Sequence, residues 1–292
     1  MTRSLTVLET GPLTSVQDAG RMGQAALGIG RSGACDRSSY RLANRLVSNE
    51  AGAAVLEVTF GGLSLRAEAG VTLVVTGARC AGNAPHNAPV FLPAGAELHL
   101  GMPETGLRTY VAVRGGIAVE PVLGSRSTDI LAGLGPPVVA EGDVLPVGET
   151  VGPMPGVEVA PVKDPVGDEV TVRVLSGPRR DWFSPDAWAT LTGRRYRASA
   201  DCNRVAVRLE GDPLERVRPG ELPSEGMVRG ALQIPPSGTP VLFLADHPVT
   251  GGYPVIGYIV DDDVDLCAQL RPGQSLVFSD SRASQRPSDL TG

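Results

Sequence analysis

The sequence predicts a mainly β protein, two β domains in tandem with few short helices, and three observations carry that prediction. Most periodic segments are short, rich in β-branched residues and separated by Gly, Pro or Asn, the spacing of sandwiches or barrels rather than of βαβ units. A stretch without an apolar face, 151–168, divides the chain and holds Pro153, Pro155, Gly156, Pro161 and Pro165. Segments on its two sides also echo one another at a separation of about 160 residues, too long for a solenoid repeat. Leu5-Thr6-Val7-Leu8-Glu9-Thr10-Gly11-Pro12 is answered by Val172-Arg173-Val174-Leu175-Ser176-Gly177-Pro178.

In chain order, strands are expected at 5–8, 54–60, 71–76, 97–100 and 109–113 in the first half. The second half has 170–175, 204–209, 241–244, 255–260 and 275–278. Two segments break the pattern. From Asp36 to Ser48, residues Tyr40, Ala43, Leu46 and Val47 recur at helical spacing, with Asp36 placed as N-cap. Ser184-Pro185 reads as N-cap and first helical residue of a helix stopping near Gly193. The expected domains are therefore 1–150 and 169–280, with 151–168 as linker and 281–292 as a polar tail.

Composition excludes several classes. Thirty-seven glycines and 25 prolines fall short of the roughly 25–30% of low-complexity chains. A net charge of −6 argues against a nucleic-acid partner, which requires clustered basic charge. Lys163 is the sole lysine, so no P-loop and no biotin-carrying lysine motif is present. The four cysteines form no Cys-x-x-Cys pair, and the three histidines share no metal-ligand spacing. No apolar run approaches the ~18 residues of a membrane span, and the N-terminus has no hydrophobic leader, so a cytoplasmic protein is expected. Gly28-Ile29-Gly30-Arg31-Ser32-Gly33 is a literal G-x-G-x-x-G without the preceding strand that dinucleotide binding needs.

The densest chemistry follows the run Pro240–Leu244: Asp246, His247, Thr250, Gly251, Gly252 and Tyr253. Asp246 and His247 are candidates for proton transfer, Tyr253 for hydrogen-bond donation, and the paired glycines for anion-binding backbone N–H groups. A tight turn with a polar rim is the plainer alternative. Ser125-Arg126-Ser127-Thr128 sets an arginine fork among hydroxyls, a pattern suited to a carboxylate or phosphate. Gln17 and Asp18 are candidates for hydrogen-bonding a polar substrate, although an internal Asp18–Arg21 pair fits equally. Ser32 and Asp36 are candidates for the wall of a cleft. His99 reads as a solvent-face residue and Tyr110 as packing.

These segments, together with Arg114-Gly115-Gly116-Ile117 and Gly230-Ala231-Leu232-Gln233-Ile234-Pro235, resemble one family from residue 5 to residue 279. It is the family of allophanate hydrolase subunit 2, the carboxyltransferase half of urea carboxylase, and the C subunit of 5-oxoprolinase. The resemblance implies two cyclophilin-like β-barrel domains and a role as one subunit of a heteromeric ATP-dependent 5-oxoprolinase, which hydrolyses a lactam to glutamate. It implies a sister β-protein like allophanate hydrolase subunit 1 or the B subunit of 5-oxoprolinase. It also implies a third, lactam-utilisation protein, and ATP with Mg²⁺ bound with or by a partner. By the same resemblance Asp246, Thr250, Gly251, Gly252 and Tyr253 carry over as site residues, whereas His247 stands at a position that varies among relatives. The candidate catalytic set is Asp36, Asp246, His247 and Tyr253, and the candidates for holding substrate are Gln17, Asp18, Ser32, Ser125, Arg126, Ser127, Thr128, Gln233, Thr250, Gly251 and Gly252. Relatives carry Gln where Pro248 stands and a basic residue where Val255 stands. One alternative is a carboxyltransferase or allophanate hydrolase-type subunit of a urea-amidolyase-like system, with biotin on a separate carrier. Another is a non-enzymatic regulator that antagonises a histidine-kinase inhibitor. The expected site is a cleft where Arg126 from the first half meets Thr250 to Tyr253 from the second.

Overall fold

The computed structural model describes residues 3–220 and 222–281. The chain divides into two compact units, Met1–Gly167 and Asp168–Gly292. The tail expected after residue 281 lies outside the described residues.

In the first unit the strands form two five-stranded sheets. Strand Ser4–Thr10 pairs antiparallel with Leu63–Ala67, which pairs in turn with Glu97–Pro103. In the other sheet Val55–Thr59 lies between Leu13–Gln17 and Arg108–Val113, and Arg108–Val113 pairs with Val71–Gly77. The core sits between the sheets, where Leu5, Val7, Leu65 and Leu98 meet Leu56, Val58, Leu73 and Val111. The second sheet is covered on its other face as well: Val55, Val74, Tyr110 and Ala112 pack against Tyr40, Ala43 and Leu46 of helix α1 (Arg37–Leu46). A strand buried on both faces loses the alternation of apolar and polar residues, and Tyr110-Val111-Ala112-Val113 reads as a continuous run for that reason. Asp36 caps α1 as expected, accepting from the Ser39 backbone N–H at 2.9 Å.

The segment 151–168 carries no regular structure. Within the first unit its Ala160 N–H donates to the Asn87 carbonyl at 2.8 Å, and Asp164 accepts from Arg79 at 2.8 Å.

The second unit is a closed barrel of seven strands. Glu169–Ser176 and Ser275–Asp280 run parallel and join its first and last strands in sequence. Its interior holds Val172, Val174, Leu232, Leu242 and Leu276, with Tyr196 edge-on to Phe278 at 5.7 Å between centroids. Helix α2 (Ala187–Gly193) begins later than expected. Ser184 is held by its N–H bond to the Glu215 carbonyl at 3.0 Å, and its own carbonyl accepts from Ala187 N–H in a turn ahead of the helix. Ser184 therefore does not act as the N-cap. Helix α3 (Asp261–Cys267) is an addition to the expected elements, and its first turn carries Asp261, Asp262 and Asp263, the charge a helix N-terminus favours. No helix among the described residues is long and apolar enough to cross a membrane.

Candidate functional site

Asp18 follows directly on strand Leu13–Gln17 and is the hub of the first unit's polar site. Its Oδ1 accepts from the hydroxyls of Ser125 and Ser127, both at 2.6 Å, and from the Gly20 backbone N–H at 2.8 Å. Its Oδ2 accepts from the Arg126 backbone N–H at 2.6 Å. The Ser127 hydroxyl also accepts the Asp18 backbone N–H at 3.0 Å, and the Ser125 hydroxyl accepts the Ser127 N–H at 3.0 Å. Burying a carboxylate is costly unless its oxygens are hydrogen-bonded, and this one accepts from four donors.

The expected Asp18–Arg21 pair is replaced by a different arrangement. Arg21, almost fully buried, donates from Nε to the Val122 carbonyl at 3.2 Å and from Nη2 to the Ser127 carbonyl, tying the same two loops through backbone oxygens. Gln17 is buried beside them, and its Nε2 donates to the Ser15 hydroxyl and the Thr128 carbonyl, both at 2.9 Å. Ser32 adopts a left-handed conformation, with φ of 57°, and donates to the Thr128 carbonyl at 3.4 Å. The fold thus brings Gln17, Asp18, Ser32, Ser125, Arg126, Ser127 and Thr128 together. Within this group Arg126 is half-buried, and its Nε donates to the Val119 carbonyl at 2.6 Å.

Two pockets flank this hub. One, of about 280 Å³, is lined by Asp18 with Arg31, Arg37, Tyr40 and Arg41. The second, of about 430 Å³, includes Arg126 with Asn49, Glu50, Gly116, Glu149 and Thr150. Gly52 lines both. Arg31, Arg37 and Arg41 are additions to the expected site residues. A sequence signal existed for the last two, since Arg37, Tyr40 and Arg41 fall at i, i+3 and i+4 on one helical face.

Asp36 stands next to a buried polar network on the helix-facing side of the sheet. Its backbone N–H donates to the Tyr110 hydroxyl at 2.7 Å, which donates to Glu57 Oε2 at 2.8 Å. Glu57 also accepts the Cys35 N–H at 2.9 Å and lies 3.5 Å from Arg108 Nε. Tyr110 is more than packing: burial, and then the Glu57 charge, push its hydroxyl well above the usual phenol range, so it remains a neutral donor. The Asp36 carboxylate itself is occupied by Ser39, whose hydroxyl donates at 2.7 Å.

In the second unit, Asp246 follows strand Val241–Phe243. It is buried and bound at both oxygens by Arg204, Nε to Oδ2 and Nη2 to Oδ1, each at 3.0 Å. That bidentate pair is a structural clamp between two chain segments. His247 is half-buried, with Nδ1 2.8 Å from the Pro248 carbonyl. Thr250 and Gly251 pair with Gly226 and Glu225 in a two-stranded ribbon. Neither Gly251 nor Gly252 has a positive φ, so the left-handed backbone of an anion nest is absent. At 251 a Cβ would sit 2.7 Å from Gln233 Nε2, the movable end of that side chain, so the amide would have to shift. That amide donates to the Tyr253 carbonyl at 3.2 Å, so Gln233, Gly251 and Tyr253 form one cluster. Among the described residues no three of His, Cys, Asp and Glu converge as a metal site.

Residues 27–280 match the family model described as carboxyltransferase domain, subdomain A and B. The chain is 36% identical over 282 residues to the C subunit of 5-oxoprolinase from Escherichia coli (strain K12), covering 94% of this chain and 90% of that protein. It is 30% identical over 303 residues to urea amidolyase of Lachancea kluyveri, covering 93% of this chain and 16% of that protein. The crystal structure of Kluyveromyces lactis urea carboxylase is similar with a TM-score of 0.86 at 28% identity, covering 95% of this chain and 27% of that one. Sequence and fold therefore agree that this chain belongs to the carboxyltransferase-domain family, subdomain A and B.

Proposed function

We propose that this chain is one subunit of a heteromeric, ATP-dependent 5-oxoprolinase working in the cytoplasm. The observation that carries the reading is the end-to-end likeness to the C subunit of a 5-oxoprolinase, which leaves little of either chain unmatched. In this reading the complex opens the lactam of 5-oxoproline to glutamate, and ATP activates the amide oxygen so that hydrolysis runs downhill. The polar hub around Asp18 holds Arg126 at a pocket, where its guanidinium is suited to a carboxylate or phosphate oxygen. The cluster of Gln233, Gly251 and Tyr253 offers neutral hydrogen-bond donors to the amide. The enzyme is completed by a sister β-protein and a lactam-utilisation protein, and Mg²⁺ is held by the nucleotide and those partners.

A second reading, a carboxyltransferase subunit of a urea-amidolyase-like system, is favoured by the family model and by the urea amidolyase likeness. Biotin would then arrive on a separate carrier, because Lys163 is the only lysine here. Reconstitution separates the two. The chain co-expressed with its two partner proteins should release glutamate and phosphate only when 5-oxoproline and ATP are both present, and the chain alone should do neither. Carboxyl transfer from carboxybiotin to a small amide, with no glutamate from 5-oxoproline, would replace the first reading by the second.

A further inference from the structure

We infer that the pocket lined by Arg31, Arg37 and Arg41 is a binding site for a small oxyanion, a metabolite carrying a carboxylate or phosphate group. The inference does not rest on the activity proposed above. Three arginines and one acidic residue are among the residues that line this pocket. The carboxylate is Asp18, and both of its oxygens are already engaged by the Ser125 and Ser127 hydroxyls and the Gly20 and Arg126 backbone N–H groups. With three basic residues against one acidic residue, the lining carries net positive charge.

The arginines are also positioned before any ligand arrives. Arg37 and Arg41 are one turn apart on α1 and share a face with Tyr40. The Tyr40 hydroxyl lies 3.0 Å from both the Ala51 and the Ala53 carbonyl, which fastens that face to the 51–53 turn forming the far wall. Arg31 Nε donates to the Ala19 carbonyl at 3.1 Å, and its main-chain oxygen accepts the Arg21 N–H at 2.7 Å. This close lie of the Arg31 segment requires glycine at 20, where a Cβ would stand 2.6 Å from the Arg31 oxygen and 2.9 Å from its Cγ. Prepaid ordering of this kind favours binding.

Size narrows the ligand. At about 280 Å³ the pocket falls just below the ~300–1,000 Å³ of sites that bury drug-sized ligands. It suits a small acid or a phosphate rather than a whole nucleotide. Guanidinium forks match planar carboxylates and phosphates equally, so carboxylate and phosphate are separated by experiment.

Isothermal titration calorimetry on the full chain at low salt tests the site, with inorganic phosphate in one arm and 5-oxoproline and L-glutamate in two others. Saturable one-site binding is expected in at least one arm, weakened by about tenfold or more in the Arg37→Gln/Arg41→Gln double variant. The Arg195→Gln variant, which alters an exposed arginine of the second unit, is expected to bind like the wild type. Absence of saturable binding in every arm overturns the site, as does undiminished binding by the folded double variant. If circular dichroism shows the double variant to be misfolded, Arg41→Gln alone decides: its position is exposed, and unchanged affinity there likewise overturns the site.

Discussion

Ser125 donates its hydroxyl to Asp18 at 2.6 Å across 107 residues of chain, and that bond joins the two loops from which the first unit's polar site is made. Asp18→Asn keeps the shape but loses the charge and turns an amide toward donors. At least one hydroxyl or N–H then faces another donor in a buried setting. Unfolding free energy is expected to fall by roughly 2–4 kcal/mol, since hydrogen bonds to charged groups are worth about 1.5–3 kcal/mol each. Urea titration measures this, and a loss below about 0.5 kcal/mol, the range of ordinary surface substitutions, would contradict the hub.

Asp246 is expected to act through Arg204 and not on substrate. Arg204→Leu alone leaves a buried carboxylate without its partner and should cost about 3–5 kcal/mol. The double variant Arg204→Leu/Asp246→Leu should recover most of that, because two apolar side chains remove both desolvation penalties. Thermal melts of the four members of the cycle settle it: equal, additive losses would show that the pair is not coupled.

How far this was legible in sequence differs between elements. The runs at 71–76 and 109–113 announce themselves through their β-branched and aromatic residues, and their strands form where expected. Strand Leu13–Gln17 does not, because buried Thr14, Ser15 and Gln17 break the apolar pattern. Their polarity is compatible with burial only through partners such as the Thr10 carbonyl at 2.7 Å from Thr14 and the Thr128 carbonyl beside Gln17. The site shows the same division. Asp18, Ser125 and Ser127 are visible as residue types suited to hydrogen bonding, but their convergence depends on contacts more than a hundred positions apart. Asp246 is visible as a strand-end acid beside a histidine, but nothing local shows that Arg204, 42 residues earlier, donates to both its oxygens.

His86 gives the first unit a pH dependence. Burial, and then the nearby Arg79 charge, hold its imidazole below the usual histidine value of about 6.5. The folded state therefore binds this proton more weakly than the unfolded state does. The associated stability is present above the unfolded value and declines as pH falls toward the folded one. Urea unfolding at pH 7.5, 6.5 and 5.5 should show decreasing stability over a window that carboxylates, titrating lower, largely spare. His86→Asn should flatten that decrease, and an equally steep decline in the variant would assign it to other groups.

Gly251→Ala tests whether the glycine is there for room. The added methyl would meet Gln233 Nε2 at 2.7 Å and Met227 Cγ at 3.4 Å, so the amide must leave the Tyr253 carbonyl. Because the atoms in the way belong to flexible side chains, the cost is expected to be about 1 kcal/mol, the low end for overpacking. Pairing it with Gln233→Ser, which withdraws the amide, should return most of the stability. If activity of the reconstituted complex stays low while stability recovers, Gln233 has a role in the reaction beyond packing.

Arg126→Ala separates binding from folding. Its backbone N–H, which serves Asp18, survives the substitution, and only the guanidinium is removed. The main loss to the fold is the Nε bond to the Val119 carbonyl, a single contact from a half-buried side chain. Stability should fall by only about 0.5–1.5 kcal/mol, the worth of one ordinary hydrogen bond. Activity of the reconstituted complex should fall far more, by a hundredfold or greater on the order of 3 kcal/mol, if the guanidinium meets a developing or fixed anion in a water-poor pocket. Thr250→Val, which removes one exposed neutral hydroxyl, should cost about tenfold or less. Steady-state kinetics of both variants beside their melting curves make the comparison. Parallel loss of stability and activity in Arg126→Ala would mean that this arginine supports the loop and does not touch substrate.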